Sequence, residues 1–169
     1  EDREYAFNEP GLGFHAFLVP EGTQVARFSL RDSLVSAEGT DLDMYVYRCI
    51  ATSCSLVGSS AFSGSNEDVI LTNPEPAANG PAGDYYVVFV HGWDLAGNET
   101  VDYTMPVWVA DQAESETTIR STPRAIEGRF NNVSITTRGL EPGFLYMGAV
   151  TFYDDDGIAQ GTTVLEVQP

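Results

Sequence analysis

The chain has 169 residues, a formal net charge of −17 and a pI of about 4.1, and all eight of its basic residues are arginines. A surface this acidic repels phosphate backbones and anionic lipid headgroups, which argues against nucleic-acid and membrane-surface partners. No apolar run reaches the length of a membrane span, so membrane insertion is not expected. The length suits one domain with at most a small appendage.

Short segments of alternating apolar and polar residues recur along the first 110 residues, separated by turn sequences such as PEGT and SAEGT. This spacing is typical of an antiparallel β-sandwich or jelly roll, and no segment has the 3.6-residue apolar period of a helix. The predicted class is therefore all-β. Seven strands are predicted, at residues 15–19, 24–30, 41–48, 54–60, 67–73, 83–92 and 101–110.

The strand at residues 41–48, with the sequence DLDMYVYR, carries the most informative pattern. Alternation buries its apolar residues on one face and places Asp41 and Asp43 side by side at the strand start. Calcium takes six to eight oxygen ligands, so a third acid such as Glu38 or Asp84 would have to join them. The alternative is that the two aspartates accept N–H groups from a loop.

Cys49 and Cys54 are the two cysteines of the chain. With few histidines near them they lack the ligands for a zinc site, and their spacing predicts a disulfide across a hairpin. A disulfide implies an oxidising compartment, so a secreted or extracellular location is expected.

The composition changes near Asp111, which predicts a boundary between residues 1–111 and a short strand-rich extension at 112–169. Within the extension, residues 139–146 (GLEPGFLY) have the spacing of a tyrosine corner, as in fibronectin-like half-sandwiches. Residues 154–157 (DDDG) lack the later ligands of a calcium loop and predict an acidic hairpin turn.

A catalytic site is not expected. The two histidines, His15 and His91, lie near no recognisable nucleophile motif, and the serines of GSSAFSGS are typical of a hairpin tip. A small hydrolase would need a histidine and an acid clustered in a deep pocket. Trp93 and Tyr85 are candidate exposed aromatics for binding, although most aromatics of a sandwich belong to its core.

The motifs DLDMYVY and PAGDYYVVFVHG, with the cysteine pair after the first, resemble the bacterial pre-peptidase C-terminal domain. The resemblance covers roughly residues 14–110, and GAVTFYDDDG in the tail is similar to the tails of subtilisin-like proteases. In that family the domain is a β-jelly roll behind the catalytic domain of a secreted protease. The chain, which begins EDREYAFNEP without a methionine, is accordingly expected to be a piece of something larger.

The resemblance implies a non-catalytic accessory module that aids substrate adhesion, stability or secretion. It also implies that calcium is a possible cofactor at Asp41 and Asp43, with the N-terminal linker contributing in relatives. The expected partner is the protein substrate of the parent protease or its catalytic domain, and the module is expected to be a monomer. The rival interpretation is a stand-alone carbohydrate- or matrix-binding module, which an exposed aromatic strip would favour.

Overall fold

A computed structural model describes residues 11–75, 77–111, 116–124, 126 and 128–169. Apart from one 3-10 turn at Asp32–Leu34, every regular element in them is a β-strand, which confirms the predicted class. Nothing in this part of the chain forms an α-helix with the length and hydropathy that crossing a bilayer requires. In chain order the strands are β1 (Leu12–Val19), β2 (Val25–Ser29), β3 (Asp41–Ile50), β4 (Ser53–Ser60), β5 (Asp68–Thr72), β6 (Asp84–Asp94), β7 (Val107–Ala110), β8 (Thr118–Arg120), β9 (Ser134–Thr136), β10 (Tyr146–Tyr153) and β11 (Ala159–Val167).

Two antiparallel sheets form the body of the fold, the first in the order β1-β6-β3-β4 and the second in the order β5-β2-β7. Apolar residues from both sheets make one buried cluster, as expected for a sandwich. The inward face of β3 is the one that alternation predicts, since its apolar residues are at most 2% exposed. They are Leu42, Met44 and Val46.

Strand β6 lies between β1 and β3, as predicted for a strand that is apolar on both faces. Tyr86, Val88 and Val90 belong to the core cluster. On the opposite face, Val87 and Phe89 are at most 9% exposed, whereas Tyr85 is 56% exposed. The strand is therefore covered on both sides along its middle and open to solvent near its start.

The predicted strand at residues 101–110 is shorter in the structure, because β7 begins only at Val107. Pro106 has no N–H to donate to a sheet, which ends regular pairing before it. Tyr103 forms an isolated bridge with Val35, and its hydroxyl lies 2.7 Å from Nε2 of His15. This segment packs against the sandwich and joins no ladder.

The two cysteines pair as predicted. Cys49 and Cys54 occupy directly opposite positions of β3 and β4 and form a disulfide. The bond closes the hairpin at the end of the first sheet.

Removing the disulfide should destabilise the protein modestly. On the chain-entropy account, a loop this short contributes about 2 kcal/mol to the free energy of unfolding. We expect the Cys49→Ser/Cys54→Ser variant to lose that amount in urea melts. Equal unfolding midpoints for the wild type and the variant would contradict this expectation, and intact-mass analysis with alkylation verifies the bond in the wild type.

The trailing strands form two hairpins, β8-β9 and β10-β11. The hydroxyl of Tyr146 accepts a 3.0 Å hydrogen bond from the backbone N–H of Glu141, which is the backward reach predicted for a tyrosine corner. In the DDDG segment, Oδ1 of Asp154 accepts the N–H groups of Asp156 and Ile158. Residues 154–157 therefore form the predicted acidic turn between β10 and β11.

Contacts tie the β10-β11 hairpin to the second sheet. Nη1 of Arg27 lies 2.5 Å from Oε1 of Glu166, and the Arg27 guanidinium stands 5.4 Å from the ring centre of Trp108. The indole N–H of Trp108 donates to the carbonyl of Leu145 at 2.9 Å. Strands β2 and β7 therefore face the extension with one buried arginine and one tryptophan.

Candidate functional site

Acidic residues gather where β3 begins and β6 ends. In the antiparallel register Asp41 lies opposite Asp94, and Asp43 lies opposite His91. The register shifts between Asp41 and Leu42, so β6 contributes one extra residue, Trp93, at this point. Because of this bulge the two aspartates face different surroundings, although they are two positions apart on one strand.

Asp41 has an unsatisfied carboxylate oxygen. Its Oδ1 is buried, and no hydrogen-bond partner for it exists among the described residues. Burial raises the pKa of Asp41, and the negative charge of Asp43 raises it further, while the backbone N–H of Gly64 opposes the rise. A buried oxygen without a donor is costly unless a cation or a proton compensates it.

Asp43 is nearly buried, with 7% of its surface exposed. Its Oδ2 lies 3.7 Å from Nδ1 of His91, too far for a hydrogen bond but close enough for electrostatic attraction. Burial raises the pKa of Asp43, although His91 and a hydrogen bond from Tyr45 oppose the rise.

A cleft of about 470 Å³ opens beside Asp41. Asp32, Glu38 and Asp94 line it together with Trp93. Of the two third ligands considered from the sequence, Glu38 therefore lies at the cleft. Across the described ranges, no group of three or more histidine, cysteine, aspartate or glutamate residues is already arranged to hold a metal. The N-terminal linker that was expected to contribute lies outside the described residues.

Asp84, the other acid considered as a third ligand, lies at the far end of β3, where Tyr85 is opposite Cys49. It is 1% exposed, its Oδ2 lies 2.6 Å from Nη2 of Arg48, and it accepts N–H groups from Ala78 and Asn79. Burial raises the pKa of Asp84, but the hydrogen bonds from Ala78, Asn79 and Arg48 and the charge of Arg48 outweigh burial, and the pKa is lowered overall. Asp84 anchors a loop and cannot complete a site at Asp41.

Glu67 is a buried acid that no motif in the sequence indicates. Its side chain is fully buried, it shares a short hydrogen bond with the hydroxyl of Ser60, and it accepts the N–H of Phe62 at 2.8 Å. Burial raises the pKa of Glu67 against both hydrogen bonds. Nearby Asp43 and Asp41 add to the rise, so Glu67 belongs electrostatically to the same acidic end of the sandwich.

The raised pKa of Glu67 predicts a pH effect. Because the folded state binds this proton more tightly, the contribution of Glu67 to stability is greatest below the ordinary glutamate pKa. It is lost as the pH rises from there through the raised pKa of the folded state. Glu67→Gln keeps an acceptor for Phe62 and supplies a donor to Ser60, so we expect it to reduce that fall. Urea melts over a pH series measure the slope, with Glu21→Gln at an exposed position as the control for one lost charge. Parallel slopes for wild type and Glu67→Gln would contradict the prediction.

The two aromatic residues proposed for binding differ in exposure. Tyr85 projects from β6 with 56% of its surface exposed, opposite the exposed Leu18 of β1. The exposed Phe14 lies further along β1, opposite Phe89. Trp93 is half-buried within β6, edge-on to His91 at 6.3 Å between ring centres, and it lines the acidic cleft. Of Phe14, Leu18 and Tyr85, Phe14 is the most exposed, at 61%, and it is not among the residues that the sequence pattern predicts for binding.

The alternation of apolar residues in the sequence includes Phe14, but it does not show whether Phe14 is buried or exposed. An apolar residue on a strand belongs to the core on one face and to solvent on the other, and the choice depends on register. The same holds for Asp94, which meets Asp41 only through the pairing of β3 with β6.

Comparisons with protein-family models, with curated proteins and with solved structures give no match to this chain. The resemblance to pre-peptidase C-terminal domains therefore rests on the residues quoted above. The fold is all-β, with two main antiparallel sheets. An acidic cleft lies at one end of the first sheet, and exposed apolar side chains lie on one of its faces.

Proposed function

We propose that this chain is a non-catalytic accessory module of a secreted subtilisin-like protease, and that it holds the parent enzyme on its protein substrate. The observation that carries the proposal is the solvent-exposed apolar strip formed by Phe14, Leu18 and Tyr85, which are 61%, 44% and 56% exposed. Exposed apolar patches on a folded protein mark interaction surfaces.

The strip suits adhesion for two physical reasons. Aromatic side chains give large contact area at low entropic cost, and Tyr85 adds a hydroxyl that can hydrogen-bond. The strip also lies on paired strands, since Phe14 is opposite Phe89 and Leu18 is opposite Tyr85. Side chains on a sheet are held more rigidly than side chains on loops.

The chemistry of both histidines supports a non-catalytic role. His15 is hydrogen-bonded to the hydroxyl of Tyr103, and burial lowers the pKa of His15. His91 faces Asp43, but neither residue lines the acidic cleft. The arrangement differs from that of a hydrolase, in which a base and a nucleophile meet within hydrogen-bond reach of a bound substrate.

A secreted location is part of the same proposal. The Cys49–Cys54 disulfide supports it, because such bonds persist in oxidising compartments. The net charge of −17 is compatible with a calcium-rich or saline exterior, where cations screen self-repulsion.

We further propose that the acidic cleft binds calcium. Oxygen ligands from Asp41, Asp32, Asp94 and Glu38 are of the hard type that Ca²⁺ prefers, and the unsatisfied Oδ1 of Asp41 would gain a partner. Since these side chains are not gathered into a finished site, binding would draw them together. A bound calcium ion would supply charge compensation and rigidity at this end of the sandwich.

Retention on insoluble substrates tests the adhesion proposal. We expect the purified chain to be held by insoluble collagen or casein, and the Phe14→Ser/Tyr85→Ser variant to be retained less, with unchanged melting temperature. Leu56→Ser, at an equally exposed position on β4, is the matched control. Retention on chitin alone would favour the carbohydrate-binding interpretation. Equal retention of all three proteins, or no retention, would reject the strip as the anchor.

A further inference from the structure

Among the described residues, strand β1 forms one outer edge of the first sheet. It is eight residues long, and among the described residues its ladder partner is β6 alone. In an antiparallel pair, alternate residues direct their N–H and C=O groups away from the neighbouring strand, so β1 offers a row of such groups outward. Its sequence, LGFHAFLV, contains no charged residue and no proline, and its register with β6 has no bulge.

The other edges of the two main sheets carry the features that normally block strand addition. Strand β4 is bulged, because its register against β3 skips Val57. Strand β5 contains Asp68, which is paired with Arg27 and Arg31. Strand β7 has only four residues and follows Pro106, and its Trp108 donates a hydrogen bond to Leu145, just before the β10-β11 hairpin. Strand β1 differs from all three.

The side chains flanking the β1 edge would be covered by an added strand. Phe14 and Leu18 point to the solvent side of the sheet, and Ala16 between them is also exposed. An extended segment beside β1 would place alternate apolar side chains against these residues. Backbone hydrogen bonds would give affinity, and the flanking side chains would give selectivity.

Charge decides what kind of segment fits. The chain carries a net charge of −17, the strip itself is uncharged, and an acidic cleft lies at one end of the same sheet. A second copy of the chain would bring the same negative charge and be repelled, whereas a cationic segment would be attracted.

We infer that β1 is a strand-addition site for an extended polypeptide in which apolar residues alternate with arginine or lysine. The inference rests on the proposed function, because it names the class of protein segment that the adhesion module would take. It also specifies the mode of binding, since the partner pairs with the backbone of the β1 edge in addition to contacting the exposed strip.

Three fluorescein-labelled decapeptides test this inference against the full chain by fluorescence anisotropy. The first alternates valine with arginine, the second replaces arginine by glutamate, and the third repeats the first with every backbone N methylated. We expect the first to bind and the other two to bind at least about tenfold more weakly. Hydrogen exchange should show slower exchange of β1 amides in the presence of the first peptide, with β4 unchanged.

Two variants locate the site. Ala16→Lys adds an edge lysine beside the exposed strip and is expected to weaken the valine–arginine peptide at least about tenfold. Leu56→Lys, on the bulged edge strand β4, is expected to bind like the wild type. Thermal melts and circular dichroism establish that both variants are folded.

Several results would overturn the inference. Three of them are absence of peptide binding, equal affinity for the methylated peptide, and an unchanged rate of hydrogen exchange at the β1 amides. The fourth is that the chain dimerises and that Ala16→Lys abolishes the dimer, because this would assign the edge to a second copy. Retention on insoluble collagen or casein that survives Ala16→Lys, without peptide binding, would reject the edge and leave the adhesion proposal standing. Peptide binding at β1 without retention on any insoluble protein would reject the adhesion proposal and leave the edge.

Discussion

Replacing Arg48 by alanine is expected to lower the free energy of unfolding by about 3 to 5 kcal/mol, the cost of stranding one member of a buried ion pair. The Arg48 side chain is 7% exposed and that of Asp84 is 2% exposed. The guanidinium contacts Asp84 through two nitrogens, Nε at 2.8 Å and Nη2 at 2.6 Å, and reaches Glu75 with Nη1. Without it, the Asp84 carboxylate is left in the interior with only backbone donors.

The pH dependence gives this prediction a second readout. The pKa of Asp84 is lowered in the folded state, so its contribution to stability is present above the ordinary aspartate pKa and is lost as pH falls through the lowered value. Arg48→Ala should lose part of that contribution. Arg31→Ala, whose partner Asp68 lies at a partly exposed site, is the control and should cost about 0 to 1 kcal/mol. A cost below that of Arg31→Ala would contradict the role given to Arg48.

Calcium should raise the melting temperature of the wild type by a few to about ten degrees. At a hundred times the dissociation constant, a ligand that binds only the native state stabilises it by about 2.7 kcal/mol, which for this length corresponds to such a shift. The Asp41→Asn/Asp43→Asn variant is expected to lose the shift while keeping the fold, because it removes the Asp41 carboxylate from the cleft. In EDTA it should be at least as stable as the wild type, because burial disfavours both carboxylates in their charged form.

Controls separate a site from general screening of the negative charge. Magnesium at equal ionic strength should give a smaller shift, since its octahedral shell suits such a cleft poorly. Asp155→Asn/Asp156→Asn removes the same charge from an exposed turn and should keep the calcium response. If the aspartates of β3 serve only to accept loop N–H groups, the wild type is indifferent to calcium and EDTA, and the Asp41/Asp43 variant is destabilised equally in both.

The sequence predicts the sandwich well where one physical signal acts alone. Alternation in β3 assigns Leu42, Met44 and Val46 to the core, because every second side chain of a strand points to the same face of the sheet. The same signal extends β7 too far, since the apolar residues at 101–106 pack on the sandwich without entering a ladder. Apolar packing and strand pairing leave similar traces in a sequence.

The site is less predictable than the fold. Asp41 and Asp43 are found from their spacing, because both lie on one strand. Asp94 joins Asp41 only through the register of β6, and Asp32 reaches the cleft through a loop whose position depends on its hydrogen bond to the N–H of Ser65. Such contacts can be predicted only when the strand pairing is known, and the local sequence pattern does not specify which strands pair.

Buried acids are the hardest to predict. Glu67 and Asp84 are of residue types that usually lie on the surface. Their burial is stabilised by tertiary contacts, with Ser60 for Glu67 and with Arg48 for Asp84. A buried charge is recognised from its partners, which lie 7 and 36 residues away in the sequence.

The direct test of an accessory adhesion module is the rate at which a protease digests insoluble and soluble protein with and without this chain. A subtilisin-like catalytic domain would be fused to the chain and compared with the same domain alone and with a fusion carrying Phe14→Ser/Tyr85→Ser. We predict that the fusion digests insoluble collagen or casein faster than the domain alone, that the variant fusion loses the gain, and that all three digest soluble casein at the same rate. Equal rates of all three on the insoluble protein would contradict the account.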